Sequence, residues 1–296
     1  MGRIQIVACL IVGLWATGIV GCTKERPITV GSKNFTEQVI LGEIVAQHLE
    51  HRLGQRVDRK LNLGGTLLVH QALVNGDIDL YPEYTGTALT AILKLAPTSD
   101  PAAAMALIRA EYHTRFGVEW MDSLGFNNTF AMVIRGDDAR KSKIATLSDA
   151  ALYSPGWNLG VGYEFQQRSD GLAGLLKTYH LPILGSPKTM DLGLLYKALD
   201  QQQVNMVAGN ATDGQLSVLD VLVLRDDKRY FPPYDCGLVV RAEMLKDNPF
   251  LRQALIELAG RFTDLTMRKL NYQVDGAHRP VREVAEQFLR DAGLRR

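Results

Sequence analysis

Aromatic side chains recur beside polar loop ends in this sequence. In "GDIDLYPEYTGTAL" (residues 76–89), Tyr81 and Tyr84 flank a proline and a glutamate just before a Thr-Gly-Thr triplet. Phe130 follows "NNT", and Tyr234 ends the stretch "YFPPY". Core packing is the ordinary role of any one ring. Several rings at loop ends also fit the walls of a pocket for an organic cation, because ring faces attract positive charge.

The sequence shows no signature of catalysis or of metal binding. It has no G-x-S-x-G elbow, no G-x-x-x-x-G-K-[ST] loop and no G-x-G-x-x-G after a strand. His48 and His51 lie three residues apart on a predicted helix, and without further ligands they predict a solvated face. We therefore predict no metal, no cofactor and no enzymatic activity. The alternative is an exported enzyme that uses Glu164 or Asp213 as an acid or a base.

Charge and composition indicate a neutral globular protein. The 33 Lys and Arg residues balance 32 Asp and Glu residues, which gives a formal net charge of +1. Such a balance provides no general attraction to nucleic acid, so we predict no nucleic-acid partner. A chain of 296 residues with 46% hydrophobic content predicts a packed protein of two lobes.

The N-terminus has the features of an export signal. Arg3 precedes an apolar run from Ile4 to Val20, and small residues lead to Cys22. A membrane-spanning anchor is the alternative, although the run is slightly short for a span. The ending "IVGC" resembles the bacterial lipobox, which predicts a lipoprotein signal peptide at 1–21, lipid on Cys22 and a tether at 22–27. An ordinary cleaved signal that leaves Cys22 free is the other interpretation.

The cysteines predict a body without an intramolecular disulfide. Cys9 leaves with the signal and Cys22 is assigned to lipid, so only Cys236 remains in the folded body. Because "DCG" carries no base, we expect Cys236 to be a small buried residue at a strand start.

Strand-like and helix-like segments alternate along most of the chain, which predicts an α/β fold. "ITVGS" and "VDRKLNL" are typical strands, and the intervening "NFTEQVILGEIVAQHLEHRLG" has helical spacing. Asp100 followed by Pro101 predicts a helix start. The C-terminal segment predicts successive helices packed back on a lobe. "NLGGT" before a helix is either a plain tight turn or a place where free N–H groups hold a carboxylate.

Seven segments, in this order, resemble the osmoprotectant receptors of bacterial ABC importers, which bind glycine betaine, choline and carnitine. The match runs from about Ile28 to Arg296. The segments are "GSKNFTEQVILGEI", "NLGGT", "GDIDLYPEYTGTAL", "FNNTFAMVIR", "SDGLAGLLKTYH", "DLGLLYKAL" and "LRDDKRYFPPYD".

The resemblance implies a two-lobed clamshell of the periplasmic-binding-protein kind (type II), crossed by two hinge segments. We expect lobe I at 28–124 and 232–296, and lobe II at 125–231. The resemblance further implies a monomeric receptor that closes on a small cationic or zwitterionic solute and presents it to a permease in the inner membrane. The expected location is periplasmic or cell-surface, with the protein anchored through Cys22. A sensor that signals to another protein is a further alternative.

The resemblance also implies the binding residues. The family's tyrosine cage falls on Tyr84, Phe130, Asn210 and Tyr234, and Gln38 and Thr87 match positions that hold the ligand's carboxylate. Phe130 keeps a ring face, whereas Asn210 replaces a ring by an amide. Losing one ring contact costs about 0.5 to 2 kcal/mol. Because an amide adds donors and an acceptor, a betaine with an extra polar group, such as ergothioneine, is the alternative ligand.

Overall fold

Two five-stranded sheets form the framework of the protein. The computed structural model describes residues 26–98 and 100–295. The predicted signal peptide and Cys22 lie outside the described residues. The strands are β1 (Ile28–Gly31), β2 (Val57–Lys60), β3 (Leu80–Tyr84), β4 (Val118–Asn127), β5 (Phe130–Arg135), β6 (Leu159–Val161), β7 (Lys188–Thr189), β8 (Met206–Asn210), β9 (Val221–Val223) and β10 (Asp235–Arg241).

Helices separate most of these strands, so the predicted α/β class is confirmed. The helices are α1 (Thr36–Leu53), α2 (Thr66–Val74), α3 (Thr85–Thr87), α4 (Pro101–Phe116), α5 (Gly136–Ser142), α6 (Leu147–Ala151), α7 (Tyr163–Gln167), α8 (Leu172–Tyr179), α9 (Leu192–Asp200), α10 (Ala242–Asp247), α11 (Pro249–Ile256), α12 (Asp264–Asp275) and α13 (Val281–Asp291). A π-helical segment, Ala88–Ile92, continues α3, and a 3₁₀ turn spans Gly214–Ser217. Among the described residues, no helix is both long and apolar enough to cross a membrane.

The two sheets share one topology. The first has the order β2-β1-β3-β10-β4, and the second has the order β7-β6-β8-β5-β9. In each sheet three strands are parallel, and the fourth, β10 or β5, runs antiparallel to both of its neighbours. We call the first sheet with its helices lobe I and the second sheet with its helices lobe II.

The chain passes between the lobes twice. β4 ends in the first sheet at Asn127 and β5 begins in the second at Phe130, so residues 128–129 form one crossing. Residues 224–234 return from β9 to β10. The predicted division after residues 124 and 231 stays a prediction. Ligand sites of open α/β sheets form at the carboxyl ends of the parallel strands. In this chain those strand ends lie beside the two crossings.

Local sequence signals explain where several helices begin and end. Asp100 caps α4 by accepting hydrogen bonds from the N–H groups of Ala102 and Ala103, as predicted. Gly54 ends α1 in the left-handed conformation. The C-terminal helices α11, α12 and α13 pack on α1, which confirms that this segment returns to a lobe.

Burial of His48 corrects one prediction. His48 is fully buried and its Nε2 lies 2.9 Å from the carbonyl of Ala254, whereas His51 is exposed. The solvated face predicted for both residues is therefore wrong at His48, because α11 covers this side of α1. No cluster of metal-binding side chains occurs among the described residues.

Candidate functional site between the lobes

The predicted site residues lie at strand ends and helix starts where the two lobes meet. Tyr84 ends β3 and Tyr234 immediately precedes β10, while Phe130 begins β5 and Asn210 ends β8. Phe130 and Asn210 are direct partners in the antiparallel ladder of lobe II. Thr87 lies in α3 and Gln38 in the first turns of α1.

Aromatic rings of lobe II and of the second crossing contact one another at this junction. The centroids of Phe130 and Tyr234 lie 5.6 Å apart with an edge-on geometry. The rings of Phe165 and Phe231 lie 4.9 and 5.9 Å from that of Phe130, which extends the cluster beyond the four predicted cage positions. Tyr84 stacks on Phe35 at 6.3 Å.

Gly86 allows the Tyr234 ring to lie close to α3. A Cβ at Gly86 would lie 2.6 Å from Cε1 of Tyr234, well inside van der Waals contact. The "TGT" triplet therefore provides both the hydroxyl of Thr87 and room for a ring. The π-helical segment follows directly, and the hydroxyl of Thr90 within it lies 2.7 Å from the carbonyl of Gly86. π-helical segments often occur at functional sites.

Cationic side chains of the protein already lie over three of these rings. The guanidinium carbon of Arg168 lies 5.2 Å from the centroid of Phe130 and 5.7 Å from that of Tyr234. Nζ of Lys33 lies 5.3 Å from the centroid of Tyr84. These distances are within the range of cation–π attraction. A solute that enters between the rings must displace Arg168 or lie beside it.

Arg168 is anchored by a carboxylate of its own lobe and reaches across to lobe I. Its Nε donates to Oδ1 of Asp170 at 2.9 Å, and its Nη1 donates to the hydroxyl of Thr87 at 2.9 Å. Asp170 also accepts hydrogen bonds from Thr90 of lobe I and from Tyr234 at the end of the second crossing. Burial acts to raise the pKa of Asp170, but hydrogen bonding to Arg168 and its charge outweigh burial and hold that pKa below its ordinary value.

Gln38 and Lys33 lie beneath the Tyr84 side of the site. Nε2 of Gln38 donates to the carbonyl of Pro82 at 2.9 Å, and Oε1 accepts from the backbone N–H of Lys33 at 3.3 Å. Gln38 therefore links the loop after β1 to strand β3, and its predicted contact with a ligand carboxylate stays a prediction. Lys33 is almost fully buried and pairs with Glu83 at 2.5 Å.

Asn210 is supported by the partly buried carboxylate of Asp213. Oδ2 of Asp213 accepts hydrogen bonds from the backbone N–H of Asn210 at 2.7 Å and from the hydroxyl of Tyr196 at 2.8 Å. Burial raises the pKa of Asp213 to about 6, and the charge of Glu37 adds to that rise. The acid therefore shapes the loop that presents the Asn210 amide.

Replacing Asp213 by Asn is expected to change how stability depends on pH. A carboxyl whose pKa rises on folding stabilises the fold below its unfolded pKa of 3.8 and loses that contribution as pH rises through about 6. Relative to Asp213→Asn, the wild-type protein should lose up to about 3 kcal/mol of unfolding free energy across this window. Urea unfolding at stepped pH measures the difference.

The exposed Asp220 provides a control of opposite sign. Hydrogen bonds from Arg140 hold the pKa of Asp220 below its ordinary value, so its contribution is lost as pH falls. Asp220→Asn should therefore show a difference curve with the reverse slope. A flat curve for Asp213→Asn would contradict the assignment.

The "NLGGT" loop holds a carboxylate, and that carboxylate is Glu164 from the opposite lobe. Its Oε1 accepts from the N–H of Thr66 at 2.6 Å, and its Oε2 accepts from the hydroxyl of Thr66 at 3.0 Å. The N-terminus of α2 favours such an anion. Together with the hydrogen bonds that Arg168 donates to Thr87 and Thr90 donates to Asp170, this contact closes the lobes on each other.

Family comparison agrees with this architecture. Residues 26–291 match the family described as the substrate-binding domain of ABC-type glycine betaine transport systems. The chain belongs to this family. Substrate-binding proteins of ABC importers work outside the cytoplasm, bind small solutes and act together with a permease. The predicted family and the two-lobed fold are thereby confirmed.

Individual relatives carry different ligand names. The chain is 39% identical, over 92% of its length and 48% of the other protein, to an ergothioneine transport permease/ergothioneine binding protein of Helicobacter pylori. It therefore spans about half of that relative. It is 35% identical to a carnitine transport binding protein of Listeria monocytogenes, over 92% and 88% of the two chains. A solved structure described as a glycine betaine/carnitine/choline ABC transporter matches with 33% identity and a TM-score of 0.76, over 90% and 99% of the chains.

Arg168 and Lys33 are the site residues that sequence reasoning missed. Both stand in or next to recognised segments, "GSKNFTEQ" and "SDGLAG". Charged side chains are mostly solvated, so neither residue is distinguished from an ordinary surface cation by type or spacing. Their low exposure, 3% for the side chain of Lys33 and 10% for that of Arg168, is visible only in the fold.

Proposed function

We propose that this protein binds a zwitterionic quaternary amine between its lobes and delivers it to an ABC permease. The main support is the position of the Arg168 guanidinium, which lies over the rings of Phe130 and Tyr234. Rings that accommodate this weakly hydrated planar cation also suit a trimethylammonium group, which holds water weakly. Family membership and the relatives' printed names support the same ligand class.

In this proposal each end of the solute has its own partners. The positive head contacts the rings of Tyr84, Phe130 and Tyr234, while the acidic end contacts Thr87 and Arg168. Lys33 lies over the Tyr84 ring instead, where Glu83 balances its charge. Buried hydrogen bonds between a cation and a carboxylate are strong and orient the solute. Sodium is strongly hydrated, unlike a quaternary amine, so the site should not bind it.

Closure follows from differential binding. Because the solute touches residues of both lobes, it binds the closed state better than the open state and shifts the hinge equilibrium. The closed shape is then what the permease recognises. This proposal includes the predicted lobe boundaries and a monomeric receptor. It also includes transport, rather than signalling, as the result of closure.

Titration calorimetry of the purified protein with four solutes tests the function. Glycine betaine, choline, carnitine and ergothioneine are the ligands, and sodium chloride is the control. We expect saturable one-to-one binding of at least one zwitterion and none of sodium. Recovery of the solute unchanged after long incubation separates a receptor from an enzyme that uses Glu164 or Asp213. Absence of binding by all four solutes would refute the proposal.

Ergothioneine is the second candidate ligand because of Asn210. This position carries an amide where the family places a ring, and the relative named for ergothioneine is 39% identical. An amide can pair with the ring nitrogens or the sulfur of that betaine, whereas a phenol face cannot.

Asn210→Tyr should therefore separate the two ligands. Restoring a ring should tighten glycine betaine binding by about 2- to 30-fold, because one cation–π contact contributes about 0.5 to 2 kcal/mol. Ergothioneine binding should weaken if the amide holds it. Parallel titrations measure both effects, with the exposed Asn158→Tyr, before β6, as control. Unchanged affinities for both solutes would remove Asn210 from the site.

We further propose that Cys22 carries lipid and holds the receptor at the outer face of the membrane. The "IVGC" segment supports the proposal. Cys22→Ser should move the protein from the membrane fraction to the soluble extracytoplasmic fraction, because a lipid chain supplies the attachment. Immunoblotting of the fractions checks this. Retention of Cys22→Ser in the membrane would indicate an uncleaved anchor.

A further inference from the structure

Glu37 is a buried acid whose oxygens are occupied by hydrogen bonds from the protein itself. It lies in the first turn of α1 and is 2% exposed. Oε1 accepts from the hydroxyl of Tyr84 at 2.6 Å and from Nδ2 of Asn128 at 2.8 Å. Oε2 accepts from Nδ2 of Asn271 at 3.1 Å and from the hydroxyl of Thr212.

These four donors come from four separate segments of the chain. Tyr84 ends β3, Asn128 lies in the first crossing between the lobes, Thr212 follows β8 of lobe II, and Asn271 belongs to α12. The donors are also tied to one another, because Asn271 donates to the carbonyl of Thr212 at 2.9 Å. Glu37 therefore joins a ring of the proposed cage to the hinge and to the opposite lobe.

An acid at this position is costly without a function. Burial raises the pKa of Glu37, and the four hydrogen bonds oppose that rise. No Lys or Arg among the described residues forms an ion pair with it, and the nearby Asp213 carries the same sign. Buried unpaired carboxyls destabilise a fold, and such groups are concentrated at functional sites. Two of the four partners are amides, which can only donate here, and the two hydroxyls also donate, so all four partners can bind the carboxylate at once.

We propose that Glu37 is a positioning residue of the binding site, which orients the Tyr84 ring and ties it to lobe II through Thr212. The inference rests on the proposed function, since Tyr84 serves there as a wall for the positive head. Glu37 touches no solute in this scheme. Its contribution to affinity passes through the hydroxyl of Tyr84.

A double-mutant cycle on ligand affinity tests this coupling. Glu37→Gln, Tyr84→Phe and the double variant are titrated with the tightest of the four solutes. Each single variant should lose about 10-fold in affinity, as expected for a hydrogen bond to a charged group, and the double variant should lose no more than Glu37→Gln alone. Tyr234→Phe combined with Glu37→Gln is the control, and its losses should multiply. Multiplied losses for Glu37→Gln with Tyr84→Phe would overturn the inference.

A second cycle covers the case in which Glu37→Gln does not fold. Thr212→Val removes the donor from lobe II while leaving the carboxylate in place, and it is combined with Tyr84→Phe. Losses that fail to multiply support the tie through Glu37, and independent losses overturn it. A wild-type protein that binds none of the four solutes refutes the proposed function and this inference with it. Wild-type binding with independent losses refutes the inference alone.

Discussion

Arg168→Gln is expected to weaken glycine betaine binding by at least about 30-fold, because removal of one partner from a buried, hydrogen-bonded charge pair costs about 2 to 5 kcal/mol. Choline has the same trimethylammonium head but a hydroxyl in place of the carboxylate. Its affinity should fall much less, because choline has no carboxylate for Arg168 to bind. In either case Asp170, 3% exposed, is left without its ion-pair partner. Titration of both solutes therefore measures a change in selectivity.

Two further variants separate this effect from damage to the fold. Arg140→Gln is the matched control, because Arg140 pairs with Asp137 and Asp220 on the exposed surface of lobe II. It should bind both solutes as the wild type does. Arg168→Gln combined with Asp170→Asn removes the stranded charge and should restore thermal stability without restoring glycine betaine binding. Equal losses for glycine betaine and choline would contradict the assignment of Arg168 to the acidic end.

Tyr234→Ala and Tyr84→Ala are expected to weaken a quaternary amine by about 10-fold or more each. Each substitution removes a cation–π contact and the shape of the wall, and loss of an aromatic side chain also opens a cavity. Tyr234→Phe keeps the ring and loses only the hydrogen bond to Asp170, so its loss should be smaller. Calorimetry of the three variants against one solute ranks these contributions.

The burial of Tyr81 decides which controls suit these ring deletions. Tyr81 is fully buried and its hydroxyl donates to Glu83 at 3.0 Å, so Tyr81→Ala would test folding as much as binding. Tyr81→Phe preserves the ring and should leave affinity nearly unchanged. Tyr153→Ala removes a ring that stacks on Trp157 within lobe II, 4.2 Å between centroids, and should also bind normally. Similar losses in all variants would show that the assigned rings do not form the pocket.

Periodicity and turn residues predict most of the framework. The alternation of strands with helices, the cap at Asp100 and the helical C-terminal segment are local patterns, and the structure contains all three. Strand β3 shows how far such local patterns fix the ends of an element. The segment "DIDLY" predicts a strand at 77–81, whereas β3 spans Leu80–Tyr84. Val30 pairs with Leu80 alone on the β1 side, so Pro82 lies beyond that ladder and its missing N–H is tolerated.

The candidate site is less predictable because its chemistry depends on contacts between distant segments. Phe130, Tyr234 and Thr87 come from the resemblance, and the structure places them within one junction of rings and hydrogen bonds. Glu164 stands far along the chain from the "NLGGT" loop that it caps, and no local pattern links the two. The same applies to Glu37 and Thr212, whose contact spans the hinge. Such pairs require the fold.

Removing the positive charge from the solute tests the central claim most directly. Glycine betaine and 3,3-dimethylbutanoate have the same shape and the same carboxylate, but the second carries a carbon in place of the quaternary nitrogen. If rings hold the charged head, calorimetry should show glycine betaine binding at least about 10-fold tighter, since several cation–π contacts of about 0.5 to 2 kcal/mol are lost with the charge. Equal affinity of the two solutes would contradict the account.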